Sequence, residues 1–572
     1  MNHNFPVYTV ARSCQDCYKC VRHCPCKAIK VENGSASIIP ELCVSCGRCV
    51  RVCPVHAKKI RPDLSRGRFL LEDSNNMVIA SIAPSYVSYF KNVNAKTMIT
   101  ALKKLGFYGV SETAHGAQIV SSECASYMAE KGNGVYISSA CPSAVEFINK
   151  YLSEYTRCIV PMKSPLLAHA NLLKKEFGEN VKVIFFGPCA AKKNEADSHQ
   201  GELDLSLTFA DLDDWFKQEN INLASLIPDE GAEFLLGNAE EGKIYPFEGG
   251  MNDTIRKDGD NVQYLAMSGL ENIRRILGSD VSAASNKDKK IFIECLACAG
   301  GCINGPVMPE ESDSLANIIR TSVDYRNENS CDRNYDLDIR EGYFEREVKD
   351  NDFSEADIKN ILLSIGKKHH DDELNCGGCG YYTCRSFARA LLEGKAESSM
   401  CVSYLKQSAQ KKSNALIRYI PAGVVIVDSN MKIIECNENF ADLFDESTRL
   451  AYEVTPGLSG VELNNIIEFT ELFEAALSSG KDIVRNNYVC GDKILNISIF
   501  TIEVHRIVGA ILQDVTKSEL RREQISEKAR EVIQKNVITV QKIAHYLGEH
   551  MAETEVLLRE VASGYSNDGN KE

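Results

Sequence analysis

The sequence has no apolar run long enough to cross a bilayer, and its opening MNHNFPVYTV carries no secretory signal core. We therefore expect a cytoplasmic protein with no membrane contact. A basic excess is lacking too: 65 lysines and arginines face 79 aspartates and glutamates, a formal net charge of −14. Broad nucleic-acid binding needs cationic patches that displace counterions from phosphates, and it is not expected here. No low-complexity tract interrupts the chain. Hydrophobic residues make up 44% of its 572 positions, enough for several globular domains.

Cysteine is abundant, at 23 residues. A reducing compartment disfavours a disulfide framework, so metal binding is the alternative and spacing decides it. Residues 1–60 repeat one pattern: Cys14-x2-Cys17-x2-Cys20-x3-Cys24-Pro25, then Cys43-x2-Cys46-x2-Cys49-x3-Cys53-Pro54. Three closely spaced thiolates wrap one face of an iron–sulfur cube, and the fourth cysteine of each run ligates the other cube. Cys14, Cys17, Cys20 and Cys53 are thus expected to hold one [4Fe–4S] cluster, and Cys43, Cys46, Cys49 and Cys24 a second. Zinc accepts the same ligands, but the doubled spacing and both prolines favour cubes. Cys26 is left over and reads as structural. The region resembles the bacterial two-cluster ferredoxins, and it is an electron wire that does not identify what it serves.

Arg61–Asn76 reads as a charged connector. Beyond it, Met77–Ala83 and Val181–Phe186 are strand-like runs that end near prolines, within a mixed α/β region at 77–330. Three segments there carry cysteines: ISSACPSAV (Ile137–Val145), FGPCAAKKNEA (Phe186–Ala196) and ECLACAGGCINGP (Glu294–Pro306). Alone, Cys141 and Cys189 read as buried thiols, and Cys298-x3-Cys302 is a weak metal signature. Four cysteines from three loops can nevertheless close a cubane. Gly300, Gly301 and Gly305 are expected to let backbone approach a bulky cofactor. Lys192 and Lys193 put positive charge beside Cys189, which suits an anionic cluster.

In chain order these segments resemble the iron-only, or [FeFe], hydrogenases, over residues 1–330. The resemblance implies an H-cluster domain, in which a [4Fe–4S] cube joins through one cysteine sulfur to a two-iron subcluster with CO, cyanide and dithiolate ligands. It implies Cys141, Cys189, Cys298 and Cys302 as cube ligands, with Cys302 as the bridge. Lys192 matches the lysine that hydrogen-bonds a cyanide, Glu195 the motif's acidic position, and Ala83–Pro84 the segment lining the distal iron. H2 would be split heterolytically there, with electrons leaving through the cubes. The chain also departs from the family. Catalytic members have two adjacent cysteines in the first segment, the first of which shuttles protons; here that position is Ala140, whose methyl relays none. Two methionines that pack on the two-iron unit are replaced by Gly187 and Leu296, and Pro306 replaces a further glycine. Glu123 is the nearest remnant of the proton path. Cys295, Cys124 and Cys158 are either substitute relays or, more simply, core thiols. A degenerate relative that keeps the cube and lacks the two-iron unit is the competing identification.

Cys376-x2-Cys379-x4-Cys384 with the later Cys401 fits a fourth [4Fe–4S] site, with a zinc knuckle as the alternative. It resembles a small iron–sulfur domain, at 366–410, and its place in the chain suggests that it passes redox state towards the C-terminus. Ile420–Phe444 and Gly509–Thr516 resemble a PAS domain, at 413–516, which ends in an Asp-x-Thr exit to a signalling helix, at 517–564. Cys436 and Cys490 are too few for a cluster, and neither a flavin-binding cysteine motif nor a clear haem ligand is present. Ile533, Val537, Val540, Ala544, Leu547, Met551, Thr554, Leu558 and Val561 alternate by four and three, the seam of a coiled-coil homodimer, against the alternative of a helix folded back on its own domain. His545 lies on this helix with no ATP-binding domain after it. The expected architecture is α+β and α/β, multidomain: ferredoxin (1–60), hydrogenase core, small cluster domain, PAS and helix. The expected function is an H2-sensing hydrogenase of low turnover, with H2 and protons, a redox partner such as ferredoxin, and a downstream signalling protein as partners. An ordinary ferredoxin-linked hydrogenase with an altered proton path and a non-catalytic iron–sulfur scaffold are the other readings.

Overall fold

A computed structural model describes residues 5–256, 261–279, 288–309, 335, 337–349 and 351–565. The last stretch of the expected core, 310–330, lies outside the described residues. Two compact units are present, Met1–Leu405 and Lys406–Glu572.

The first sixty residues of the first unit contain little regular structure. Strands β1 (Val7–Thr9), β2 (Ile29–Glu32), β3 (Ser35–Ile38) and β4 (Lys58–Ile60) form two antiparallel pairs, β1 with β4 and β2 with β3. The sequence repeat is also a conformational repeat. Asp16 and Ser45, Tyr18 and Gly47, and Lys27 and His56 occupy matching positions in the two cysteine runs, and all six have left-handed backbones. Tyr18 (φ 55°) and Gly47 (φ 71°) each precede a short helix, Lys19–His23 and Arg48–Arg51. These turns let three near-neighbour thiols face one point. Gly47 has a second reason to be glycine: a Cβ there would lie 2.5 Å from Pro306.

The α/β core follows. Its strands are β5 (Val78–Ile82), β6 (Gly109–Glu112), β7 (Gly134–Ile137), β8 (Lys182–Gly187), β9 (Leu205–Thr208), β10 (Val262–Ser268) and β11 (Lys290–Leu296). They form two parallel sheets, ordered β6-β5-β8-β9 and β10-β11-β7. β5 and β6 are buried throughout, as strands covered on both faces must be. The ends of these strands matter for function, because parallel strands deliver their following loops to one edge, where ligands gather. Ala83 and Pro84 follow β5, Thr113 follows β6, Ala140 and Cys141 follow β7, Cys189 follows β8, and Cys298 and Cys302 follow β11.

The segment read as a connector is an anchor. It holds the helix Leu64–Glu72, and its Arg61 and Asp63 enter a buried ionic network. Lys193 Nζ, fully buried, lies 3.1 Å from Asp63 and 3.0 Å from Asp211, while Arg61 contacts Asp63 at 2.9 Å and Asp197 at 2.8 Å. Asp211 also completes a capping box with Thr208 at the end of β9. Lys193 thus ties the helix Ala191–Ser198, and with it the Cys189 loop, to both the connector and the sheet.

The small cluster region begins earlier than residue 366. Ile358, Leu362 and Ile365, from and just after the helix Glu355–Ser364, share a core with Phe387 and Met400, and the helix Cys384–Leu392 packs behind the cysteine loop. The helix Val402–Tyr419 then runs through the expected gap between residues 410 and 413. In the second unit, β12 (Gly423–Asp428), β13 (Ile433–Cys436), β14 (Ile483–Cys490), β15 (Lys493–Glu503) and β16 (Ile507–Asp514) make one antiparallel sheet ordered β13-β12-β16-β15-β14. Asn437 is fully buried: its Oδ1 accepts from Val424 and Phe440 N–H groups, and its Nδ2 donates to the Ile417 and Ala422 carbonyls. Cys436 is buried in the core of this sheet and Cys490 packs at its margin. Thr516 bonds Asp514 at 2.6 Å and opens the helix Thr516–Tyr565, on which His545 is exposed.

Removing one partner of a buried ion cluster strands the others, at a cost of about 3–5 kcal/mol. Lys193→Met should therefore lower the stability of the first unit by roughly that amount, read as a lowered urea midpoint in the loss of its α/β signal.

Candidate functional site

Under the strand ends lies a cavity of about 110 Å³. Of the residues expected from the sequence, Ala83, Pro84, Ala140, Cys141, Cys189, Lys192, Leu296 and Cys302 all line it. Cys298 lies just behind, close enough that Cys302, Cys189 and Cys141 all raise its pKa. Burial is the larger cause there, and it also pushes Cys189 up to about 11 and Cys302 higher still. A desolvated thiol resists ionisation unless a cation sits beside it, so this group is suited to iron. Lys192 Nζ donates to Ser164 Oγ at 2.9 Å and to Glu195 Oε2 at 2.8 Å, which aims the ammonium along the wall. Ser85 Oγ and Glu294 Oε1, both on the wall, are buried without a hydrogen-bond partner. Four grouped thiols, one oriented cation and two unmet polar atoms fit the six-iron centre that the sequence implies. Among the described residues no three or more His, Cys, Asp or Glu side chains converge tightly enough for a single metal ion; a cube takes its thiolates at separate corners.

Two expectations are corrected. Gly187 is not on the wall. A Cβ there would lie 2.4 Å from the Phe185 ring, and it is Phe185 that faces the cavity. Gly301 and Gly305 make room for protein, not cofactor. A Cβ at Gly301, whose φ is +104°, would meet the Pro246 carbonyl at 2.1 Å, and one at Gly305 would meet the Pro188 carbonyl at 2.7 Å.

The wall residues that escaped the sequence reading include Phe185, Tyr245, Met251 and Glu294. Glu294 is 1% exposed on β11, accepts from the Asn252 N–H, and has its pKa pushed up to about 8, chiefly by burial. An acid inside the apolar run IFIECL was its visible signal. Tyr245 OH shares a hydrogen bond with Ser121 Oγ at 2.7 Å, which shares another with the half-exposed Thr254 at 2.6 Å. Glu123 does not line the cavity. Cys295 and Cys124 are buried in separate apolar clusters, Cys158 packs at the edge of one, and none of the three reaches the wall.

The other thiols also group. Cys24 joins Cys43, Cys46 and Cys49 around one small cavity, and Cys26 lines it too. Burial pushes Cys43 and Cys46 up to about 12. Cys20 rises to about 11, mainly by burial, with Lys58 opposing the shift and Cys14 and Cys17 nearby. Cys53 Sγ accepts from Ala57 N–H at 3.2 Å, as Cys24 Sγ does from Ala28 N–H at 3.3 Å. Cys379, Cys384 and Cys401 pack in one cluster with Cys20 and Val21, and Cys376 and Cys401 both act on Cys379. The fourth cysteine set is therefore docked on the ferredoxin-like part. Lys27 bridges the two: its Nζ donates to the Gly380 carbonyl at 2.8 Å, and both Cys24 and Cys379 act on its charge.

A family model described as iron only hydrogenase large subunit, C-terminal domain, matches residues 76–306; a 4Fe-4S binding domain matches 36–59, and an Fe-S cluster segment matches 372–403. The chain is 30% identical over 363 residues to the periplasmic [Fe] hydrogenase large subunit of Nitratidesulfovibrio vulgaris, covering 52% of this chain and 85% of that one. It is 26% identical over 301 residues to iron hydrogenase 1 of Clostridium pasteurianum, covering 43% of this chain and 52% of that one, about half the relative's length. The human nuclear prelamin A recognition factor matches at 22% identity, over 42% of this chain and 66% of its own.

Glu294 generates a pH prediction. Its folded pKa, about 8, stands above its ordinary 4.5, so the folded state holds the proton more tightly. The stability it contributes is fully present below about pH 4.5 and is lost as pH rises towards 8. Glu294→Gln should flatten this part of the decline, read as the slope of urea midpoint against pH between those values. A slope equal to wild type would refute the assignment.

Proposed function

Because the chain belongs to the iron-only hydrogenase large-subunit family, we propose that it is an [FeFe]-hydrogenase of low turnover, whose iron–sulfur chain reports on H2 through its C-terminal PAS-like unit. One observation carries this reading: the cavity keeps the whole cluster-binding set while the methyl group of Ala140 stands on its wall. Four cubes are assigned, one of them in the active site, with the two-iron subcluster beside it. When bound, that subcluster would supply the metal at which H2 is cleaved heterolytically. Lys192, held by Ser164 and Glu195, would hold a cyanide ligand. Ala140 can neither accept nor release a proton. Glu294 is the titratable acid on the wall, and Tyr245, also on the wall, is hydrogen-bonded through Ser121 to the half-exposed Thr254. This hydroxyl connection favours the second reading, an ordinary hydrogenase with an altered proton path, and turnover rate separates the two. A reducing compartment, the cytoplasm, suits the many unpaired thiols.

The protein matured with a two-iron precursor should show CO and cyanide stretches in the infrared. Ala140→Cys restores a thiol at the wall, and H2 oxidation and evolution should then rise together. A positioned acid–base group is worth about a hundred- to ten-thousand-fold; the gain should fall at or below the lower end, because Gly187 and Leu296 also differ from the catalytic pattern. Normal bands with no gain in either direction would remove Ala140 as the bottleneck.

The sensing half of the reading rests on the helix Thr516–Tyr565. Its Ile533, Val537, Val540, Leu547, Met551, Leu558 and Val561 are all exposed. A heptad seam of this kind is satisfied by a second copy of the same helix. Deleting residues 517–572 should convert a dimer to a monomer by light scattering. A full-length chain that is already monomeric would end the coiled-coil assignment.

A further inference from the structure

Resting on the reading of the cysteine sets as [4Fe–4S] cubes, we infer that Lys27 is a positioning cation of the electron chain: one charge shared by the second ferredoxin-type cube and the fourth cube, raising the reduction potential of both. The backbone is the first argument. Lys27 is left-handed (φ 47°), a conformation that residues with a side chain seldom adopt and that glycine adopts readily. His56, at the matching position of the second cysteine run, has the same backbone (φ 50°) but leaves its ring exposed. Lys27 instead turns its side chain into the seam between the ferredoxin-like part and the fourth cysteine set. Strain that is kept where glycine would relieve it points to a use for the side chain.

The second argument is what the ammonium touches. Lys27 Nζ donates to the carbonyls of Gly380 at 2.8 Å, Val21 at 3.1 Å and Arg22 at 3.3 Å. Three N–H donors thus meet three neutral acceptors, and the charge is held by main chain without a paired carboxylate among the described residues. Gly380 directly follows Cys379, and Lys27 itself closely follows Cys24. Burial opposes the charge, Cys24, Glu271 and Cys379 favour it, and Arg274 opposes it. The other lysines near the clusters are placed differently. Lys192 is paired with Glu195 at 2.8 Å, which offsets its charge at the core cube. Lys58 acts on Cys20, Cys43 and Cys49, so the first cube has a cation of its own. Reduction makes a cube one electron more negative, with no bond made or broken. Nearby positive charge favours that state, and away from bulk water its field is poorly screened.

The test is a mediated redox titration of the full-length, cluster-loaded protein under argon, with the reduced cubes followed by low-temperature electron paramagnetic resonance. Lys27→Met keeps the stem and removes the charge; Lys27→Gly also releases the left-handed backbone. In both, two cube midpoints should fall while the others stay. At a fixed potential the reduced-to-oxidised ratio of each affected cube should drop roughly tenfold, which is about 59 mV for a one-electron couple. Lys27→Arg keeps the charge and should keep the wild-type midpoints. With all four cubes present, a fall in fewer or more than two midpoints overturns the inference, as does an arginine variant shifted as far as the methionine one. Where a variant loses the fourth cube, a lowered midpoint among the remaining cubes supports the inference, and unmoved midpoints reduce Lys27 to a strut and overturn it. Wild-type iron content well short of four cubes would instead defeat the reading of the cysteine sets beneath it.

Discussion

A thiolate withdrawn from water must be neutralised, and most of the thiols that this chain brings together are at least partly withdrawn from it. Cys43, Cys46, Cys189, Cys298 and Cys302 all have their ionisation opposed by burial before any neighbour acts. The first sixty residues have strands of three or four residues, too short for a conventional core. Their interior is a few small aliphatics, Val21, Ile29, Val31 and Val44 among them, packed around grouped cysteines, and iron bound by those cysteines adds to so small a core. The left-handed turns at Tyr18 and Gly47 are the kind of backbone strain that metal binding offsets when it is coupled to folding.

Around this centre the polar groups are arranged in rank. Lys193 is wholly buried and holds the helix after Cys189 between Asp63 and Asp211, while its neighbour Lys192 is left to face the cavity. Lys27 does similar work between the ferredoxin-like part and the fourth cysteine set. The order of the cysteine groups in space therefore differs from their order in the chain. The fourth set follows the core in sequence, yet it packs on Cys20 and Val21, with the ferredoxin-like part standing against the core at Gly47 and Pro306.

Much of the site was legible because its signals are local. Cysteine spacing is fixed by how a short loop wraps a cube, so Cys24 could be assigned to the second run without any knowledge of the fold, and it lies with that run. Ala83, Pro84, Lys192 and Cys302 could be named from motif segments, and parallel strands bring them to one edge. What depended on distant partners was not legible. Arg61 and Asp63 look like linker charges until Lys193 is placed beside them. Gly301 looks like a cofactor glycine until the Pro246 carbonyl occupies the space. Glu294 sits in a strand pattern that hides which face it presents, and the helix Val402–Tyr419 has no internal stop signal at the expected domain border.

Phe185 and Gly187 lie on the same face of β8, two residues apart, and they share a single volume. A larger side chain at 187 has nowhere to go while the ring at 185 is present, and shrinking 185 alone opens a void beside the cluster. The two positions are therefore epistatic. A path from glycine to methionine at 187 passes through an intermediate that is either overpacked or hollow, so the substitutions at 185 and 187 must arrive in a restricted order or together.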